Sequence, residues 1–201
     1  MANSPSTSRI PGFAFFLSLC LALAALLTGW YPNAIRDTLA RNDRIAVTML
    51  YTLRSAEADF REHDRDGNGI QDYWTGDVAG LHRFGLIERA VAEADAHPLV
   101  PLVPKPVPYH GYLFSVMVGD DTTTPPEPYA QETDRKSGKV HHRSKFAFCA
   151  YPAEPGVTGS TIYITHESYS GFSCPAKESS VPINWPKDTD TMKWNRCLGG
   201  G

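Results

Sequence analysis

The chain has 201 residues and a formal net charge of −3, with 19 basic against 22 acidic side chains. That balance supplies no basic field, so nucleic-acid binding has no electrostatic support. With the first thirty or so residues set aside, about 170 remain, enough for one ordinary domain. Of sixteen prolines, eight crowd between residues 98 and 128 and predict long irregular connections.

Residues 1–12 are polar and carry Arg9, and from Phe13 to Leu27 the chain reads FAFFLSLCLALAALL, with Ser18 the one clearly polar side chain. Trp30 and Tyr31 follow. A helix from Gly12 to Tyr31 would be long enough for a bilayer core of ~30 Å. Three readings stay open: a retained membrane anchor, a cleaved secretory signal and a buried helix of a soluble protein. Arg9 before the run and the aromatic pair after it suit an N-in orientation with the bulk outside. The expected organisation is a leader over 1–12, an anchor or signal over 13–31 and one extracytoplasmic domain over 32–201. The expected location is the cell membrane, single-pass, or the exterior if the segment is removed.

Beyond it, Ile35, Leu39, Ala46, Met49, Leu50, Leu53, Ala56 and Phe60 recur at steps of three, four and seven. This predicts an amphipathic helix over Asn33–Glu62, kinked at its start by Pro32. Its apolar stripe needs a sheet or other helices to cover it.

The next segment is the sharpest local motif. Asp64, Asp66, Asn68 and Asp72 place oxygens at relative positions 1, 3, 5 and 9, with Gly69 at position 6 and Ile70 at position 7. This is the first part of an EF-hand-type loop, whose alternation turns successive oxygens toward one calcium ion. Thr75 stands at position 12, where a bidentate Glu normally closes the shell, and Asp77 is a substitute for it. The expected ion is structural calcium held by Asp64, Asp66, Asn68, Ile70 and Asp72. The competing reading is a plain turn, since Asp, Asn and Gly are favoured there in any case.

Trp74, Val78, Leu81, Phe84, Leu86 and Ile87 predict a short second helical region. The run HPLVPLVPKPVP from His97 is too rich in proline for helix or central strand and reads as an extended connector. Strands are predicted over 111–118, 145–151 and 160–166, with residues 119–143 as an exposed polar loop between the first two. Helix followed by antiparallel strands makes the fold class α+β.

Of the four cysteines, Cys20 lies in the apolar run and Cys149 within a strand pattern. Cys174 and Cys197 lie in loop-like sequence and are expected to pair as a disulfide. The seven histidines are scattered or, as His141-His142, point to opposite faces of a strand, so they read as surface or hydrogen-bonded groups rather than ligands. Ser168 and Ser170 lie near His166 and Glu167 without a nucleophile-elbow context. Glu57 and Asp59 stand two apart on a helix and are not placed to couple. No phosphate-binding or dinucleotide fingerprint occurs. No catalytic set is expected.

The order of these features resembles bacterial type IV pilin-like proteins, including the pseudopilins of type II secretion. The matching features are Gly12-Phe13 opening an apolar helix, Pro32 at the twentieth position after that Gly, and a helix of about fifty residues leading into a sheet. The segments AVTMLYTLRSAEADFREHDRDGNGIQDYWTGDVAGL, YHGYLFSVM and FAFCAYPAEPGVTGSTIYITHES, with a late WP, look like an uncharacterised pilin-like family of exported bacterial proteins. The resemblance implies a long N-terminal helix packed on a small antiparallel sheet, processing between Gly12 and Phe13, and partners among similar subunits through the N-terminal helix. The expected function is thus a non-catalytic, membrane-anchored cell-envelope protein, as a minor or assembly-associated subunit. The alternative is a secreted or anchored, calcium-stabilised binding module, its function residing in residues 119–143.

Overall fold

In the computed structural model the described residues are 11–198 without 137, 169, 178 and 188–193, and side chains are described for residues 33–197 of these. The chain divides into two units, residues 1–38 and 39–201. The first holds the N-terminal part of helix α1, Pro11–His63. The second holds everything that follows.

Within the second unit α1 buries Ala46, Leu50, Leu53, Ala56 and Phe60, the stripe expected from spacing. After α1 come strand β1 (Tyr73–Trp74), helix α2 (Val78–Arg83) and helix α3 (Arg89–Ala92). Asp77 caps α2 by accepting the Gly80 N–H at 2.8 Å. It also accepts from the Trp74 indole at 3.1 Å, from Arg83 at 3.2 Å and from the Leu99 N–H at 2.8 Å. Gly80 has to be glycine here, because a Cβ would lie 2.2 Å from the Trp74 indole nitrogen.

Strands β2 (Tyr112–Val116), β7 (Ala147–Pro152), β8 (Thr161–His166), β9 (Gly171–Pro175) and β10 (Asn195–Leu198) form a five-stranded antiparallel sheet in the order β10-β9-β8-β7-β2. Register sorts its side chains into two faces, because opposed residues share a face and neighbours alternate. Phe114 opposes Ala150, and Ala150 opposes Tyr163; this face joins the α1 stripe in one core. Cys149 opposes Ile164, and Ile164 opposes Phe172; this face packs with Met117, Tyr129, Ala176 and Trp185 in a second core. Each large side chain so buried contributes about 1.5–3 kcal/mol.

Several expectations require correction. The pilin-like arrangement, one long helix on one small sheet, is not observed. Pairing is divided among three sheets: the five-stranded one, β1 with β6 (Lys139–His142) and β5 (Gln131–Glu132), and β3 (Gly119–Asp120) with β4 (Glu127–Pro128). The supposed exposed loop 119–143 therefore supplies four strands and buries Tyr129, His141 and His142. β3, β4 and β5 have two residues each, too short to show an alternation, which is why the sequence pattern missed them.

The membrane expectation falls on the segment from Phe13 to Tyr31. No helix among the described residues is long and apolar enough to cross a bilayer. The side chains of residues 11–32, a stretch that includes Gly12, Phe13 and Cys20, lie outside those described.

There is no Cys174–Cys197 disulfide. Asn195 opposes Ser173 and Arg196 opposes Phe172, with a bulge between Arg196 and Leu198, so Cys197 is displaced along the ladder from Cys174. Cys174 is buried on the Ile162 face, whereas Cys197 is exposed. Cys197 lies near Tyr163, whose hydroxyl pKa burial pushes up and the neighbouring thiol raises further. Tyr163 points to the face opposite Ile162.

Candidate functional site

The Asp64–Asp72 loop follows the C-terminus of α1. Asp64, at φ +46°, accepts the Asn68 N–H at 3.1 Å and the Gly69 N–H at 2.9 Å. Gly69 sits at φ +81°, a conformation open to glycine and strained for other residues. Asp66 accepts the Asn68 N–H at 3.4 Å, the Asn68 side chain accepts the Ile70 N–H at 2.7 Å, and the Ile70 carbonyl accepts the Asp72 N–H at 3.1 Å. Asp72, fully buried, accepts from the Thr133 hydroxyl and from His141 Nδ1, the latter at 3.0 Å.

Asp64, Asp66, Asn68, Ile70 and Asp72 thus form a chain of turns rather than the calcium shell expected of them. No group of three or more His, Cys, Asp or Glu among the described residues is placed to hold a metal ion. The physical reason lies at Asp72, whose two oxygens are engaged by donors from β6 and from Thr133. Asp77, the substitute ligand, is occupied as the α2 cap.

His141 is the centre of this cluster. Its imidazole is fully buried, with Nε2 3.6 Å from Asp66 and ring centroids 5.4 Å from Trp74 and 6.0 Å from Phe60. Glu57 lies in the same interior and accepts the Trp74 N–H at 2.9 Å. Burial raises the Glu57 carboxyl well above its usual range, and the Asp72 charge adds to that rise against the Trp74 bond. Glu57 and Asp59 do not couple: Asp59 is an outward residue paired with Arg65 at 2.5 Å.

A second polar cluster lies on the Phe172 face of the five-stranded sheet. His142, adjacent to His141 but directed elsewhere, accepts the N–H groups of Ser144 at 3.1 Å and Lys145 at 2.9 Å through Nδ1. Its Nε2–H therefore donates to Glu127, at 3.3 Å. Lys145 Nζ bridges Glu127 at 2.5 Å and Asp120 at 3.2 Å. Lys145 holds the Glu127 carboxyl below its ordinary range. Burial opposes ionisation of Asp120, but bonds from Thr122 and Lys145 outweigh it and lower its pKa too.

This cluster borders a cleft of about 390 Å³. Phe172 and Trp185 contribute aromatic walls, with ring centroids 5.8 Å apart. Trp185 is fixed by its backbone, which donates to the Gly119 carbonyl at 2.7 Å and accepts from Asp121 at 3.0 Å. His166, at the end of β8, meets Trp185 edge-on, with ring centroids 4.3 Å apart. Tyr129 lines the cleft, its hydroxyl pKa pushed up by burial and by the charges of Asp120, Glu167 and Glu127. Arg196 and Ser170 also line it, joined by a hydrogen bond from Arg196 Nη2 to Ser170 Oγ at 3.1 Å.

His166 Nε2 is 3.0 Å from Ser168 Oγ, and its Nδ1 is 3.5 Å from Glu167 Oε2. Sequence inspection had these residues together, whereas it passed over Asp120, Lys145, Trp185 and Arg196. One signal was readable: Lys145 and His166 bound apolar strand patterns at ends that antiparallel pairing brings together, as the Ala147–His166 register shows.

Comparison with protein-family models, with curated proteins and with solved structures finds no match for this chain.

Proposed function

We propose that the protein is a non-catalytic binding module, exported from the cell, whose ligand is a small polar molecule held in the cleft beside Trp185. The observation that carries this reading is the cleft itself: about 390 Å³, with aromatic walls and carboxylate, hydroxyl and guanidinium groups turned to one volume. That combination of apolar surface with a few placed polar groups is typical of ligand sites. Part of its wall, Asp120, Thr122 and Tyr129, comes from the 119–143 segment. The apolar run from Phe13 to Leu27 supports export.

The Ser168–His166 contact favours a second reading, a hydrolase. The binding reading is preferred because Glu167 stands 3.5 Å from His166 Nδ1, outside hydrogen-bonding range, and Ser168 is exposed rather than a wall of the cleft. A ligand-observed NMR screen of sugars, amino acids and organic acids tests the proposal, with contacts mapped by amide shifts. Hits shifting Thr122, Phe172 and Trp185 are expected. Hits that map only elsewhere, or turnover of a p-nitrophenyl ester lost in Ser168→Ala, would overturn it.

A further inference from the structure

The charges around the cleft are not equally engaged. Lys145 is neutralised by two carboxylates, Asp120 and Glu127. Glu167 accepts the Phe146 N–H at 3.4 Å and lies beside His166. Arg196 differs from both. Its hydrogen bond to Ser170 uses one of five N–H donors, and no carboxylate among the described residues lies within ion-pair distance of it.

Placement turns this difference toward the cleft. Arg196 opposes Phe172 in the β9–β10 register, so the two share a face, and both line the same volume. His166 opposes Ala147 on that same face. A planar guanidinium with forked donors, bonded to a serine hydroxyl, makes an oxyanion grip. Asp120, Thr122 and Glu167 line the same cleft and present acceptors and a hydroxyl suited to ligand hydroxyl groups.

We infer that the cleft binds a small polyhydroxylated carboxylate of the uronic-acid type, with its carboxylate on Arg196 and Ser170 and its hydroxyls toward Asp120 and Glu167. This rests on the binding-module reading and names its ligand class. A carboxylate fits better than a phosphate because Asp120 and Glu167 line the same volume. Arg196 supplies one positive charge for a monoanion, whereas a dianion would bring a second negative charge into a volume already lined by Asp120 and Glu167.

Calorimetric titration of the full chain with D-glucuronate, D-glucose and inorganic phosphate tests this. Glucuronate is expected to bind, and glucose about tenfold more weakly or worse. Arg196→Ala and Arg196→Lys should each weaken glucuronate binding about tenfold, the Lys variant because it keeps charge and loses the fork. Arg196 is exposed, and an unchanged melting temperature of each variant shows that binding, not folding, was altered. Absence of glucuronate binding, equal affinity for glucose, or tighter binding of phosphate overturns the inference. The binding-module reading falls separately, if the ligand screen places no molecule in the cleft or if ester turnover is lost in Ser168→Ala.

Discussion

The buried cluster around His141 and the cleft around Arg196 are made of the same materials: carboxylates, histidine, hydroxyl groups and aromatic rings. In the first, Asp72, His141 and Glu57 are wholly excluded from solvent, and the oxygens of Asp72 are consumed by donors from the chain itself. In the second, Lys145 is satisfied within the protein, while Arg196, bonded to Ser170, has no carboxylate among the described residues within ion-pair distance. The buried cluster joins α1, β1 and β6 and belongs to folding. The cleft keeps hydrogen-bonding capacity for something else, and that difference, more than the number of charges, separates a structural cluster from a site.

The largest effect expected from breaking this contrast is on stability. Asp72→Ala removes the acceptor of both Thr133 and His141 and leaves a buried imidazole donor without it. Breaking a buried pair from one side costs about 3–5 kcal/mol. Arg196→Ala, on an exposed strand, should cost less than about 0.5 kcal/mol. Urea unfolding of both variants checks this; comparable losses would remove the distinction between the regions.

A smaller effect, in pH dependence, sharpens the comparison because the two regions carry opposite signs. The folded protein keeps the Glu57 proton that the unfolded chain releases near 4.5, so this group makes stability fall as pH rises above that value. The Asp95 carboxyl, pushed up to about 6 by burial, acts in the same direction between 3.8 and about 6. Asp120 and Glu127 are held low, so their contribution is present above the ordinary carboxylate range and lost as pH falls through their folded values. Glu57→Gln should flatten the falling limb above pH 4.5 relative to wild type. Asp95 is common to both proteins and cancels in the difference. Parallel curves for the two proteins would mean that Glu57 ionises in the folded state as it does in the unfolded chain.

Where periodicity is long, the sequence was readable. The stripe from Ala46 to Phe60 and the strand patterns around Phe114, Phe148 and Ile164 each extend far enough to show which face is buried. β9 and β10 escaped because Gly171, Pro175 and the bulge after Arg196 blur any alternation. The Cys174–Cys197 expectation failed for a related reason, since loop-like composition says nothing of register. The cleft was harder still. Asp120, Lys145, His166 and Arg196 are separated by up to 76 positions in the sequence and meet only through pairing and the docking of Trp185. His141 was visible as a residue but not as a centre, because its partners Asp72 and Asp66 lie on the far side of two helices and five strands in chain order.

The smallest expected effect concerns the loop from Asp64 to Asp72. Its spacing invites calcium, and its backbone bonds, with Asp64 accepting from Asn68 and Gly69, are those such a loop uses in any state. What departs is the ninth position. For Asp72 to reach an ion it would have to give up Thr133 and His141, leaving buried donors unsatisfied at about 1–3 kcal/mol each. That penalty would offset much of the roughly 3 kcal/mol that an ion at a hundredfold excess over its Kd can supply. Millimolar calcium, or EDTA, is therefore expected to move the melting temperature by less than about 2 °C. A rise of several degrees with calcium, abolished in Asp64→Asn, would show that Asp72 exchanges its protein partners for an ion. The buried cluster would then be a second place in the molecule where capacity is held for a ligand, and the contrast with the cleft would narrow to one of charge.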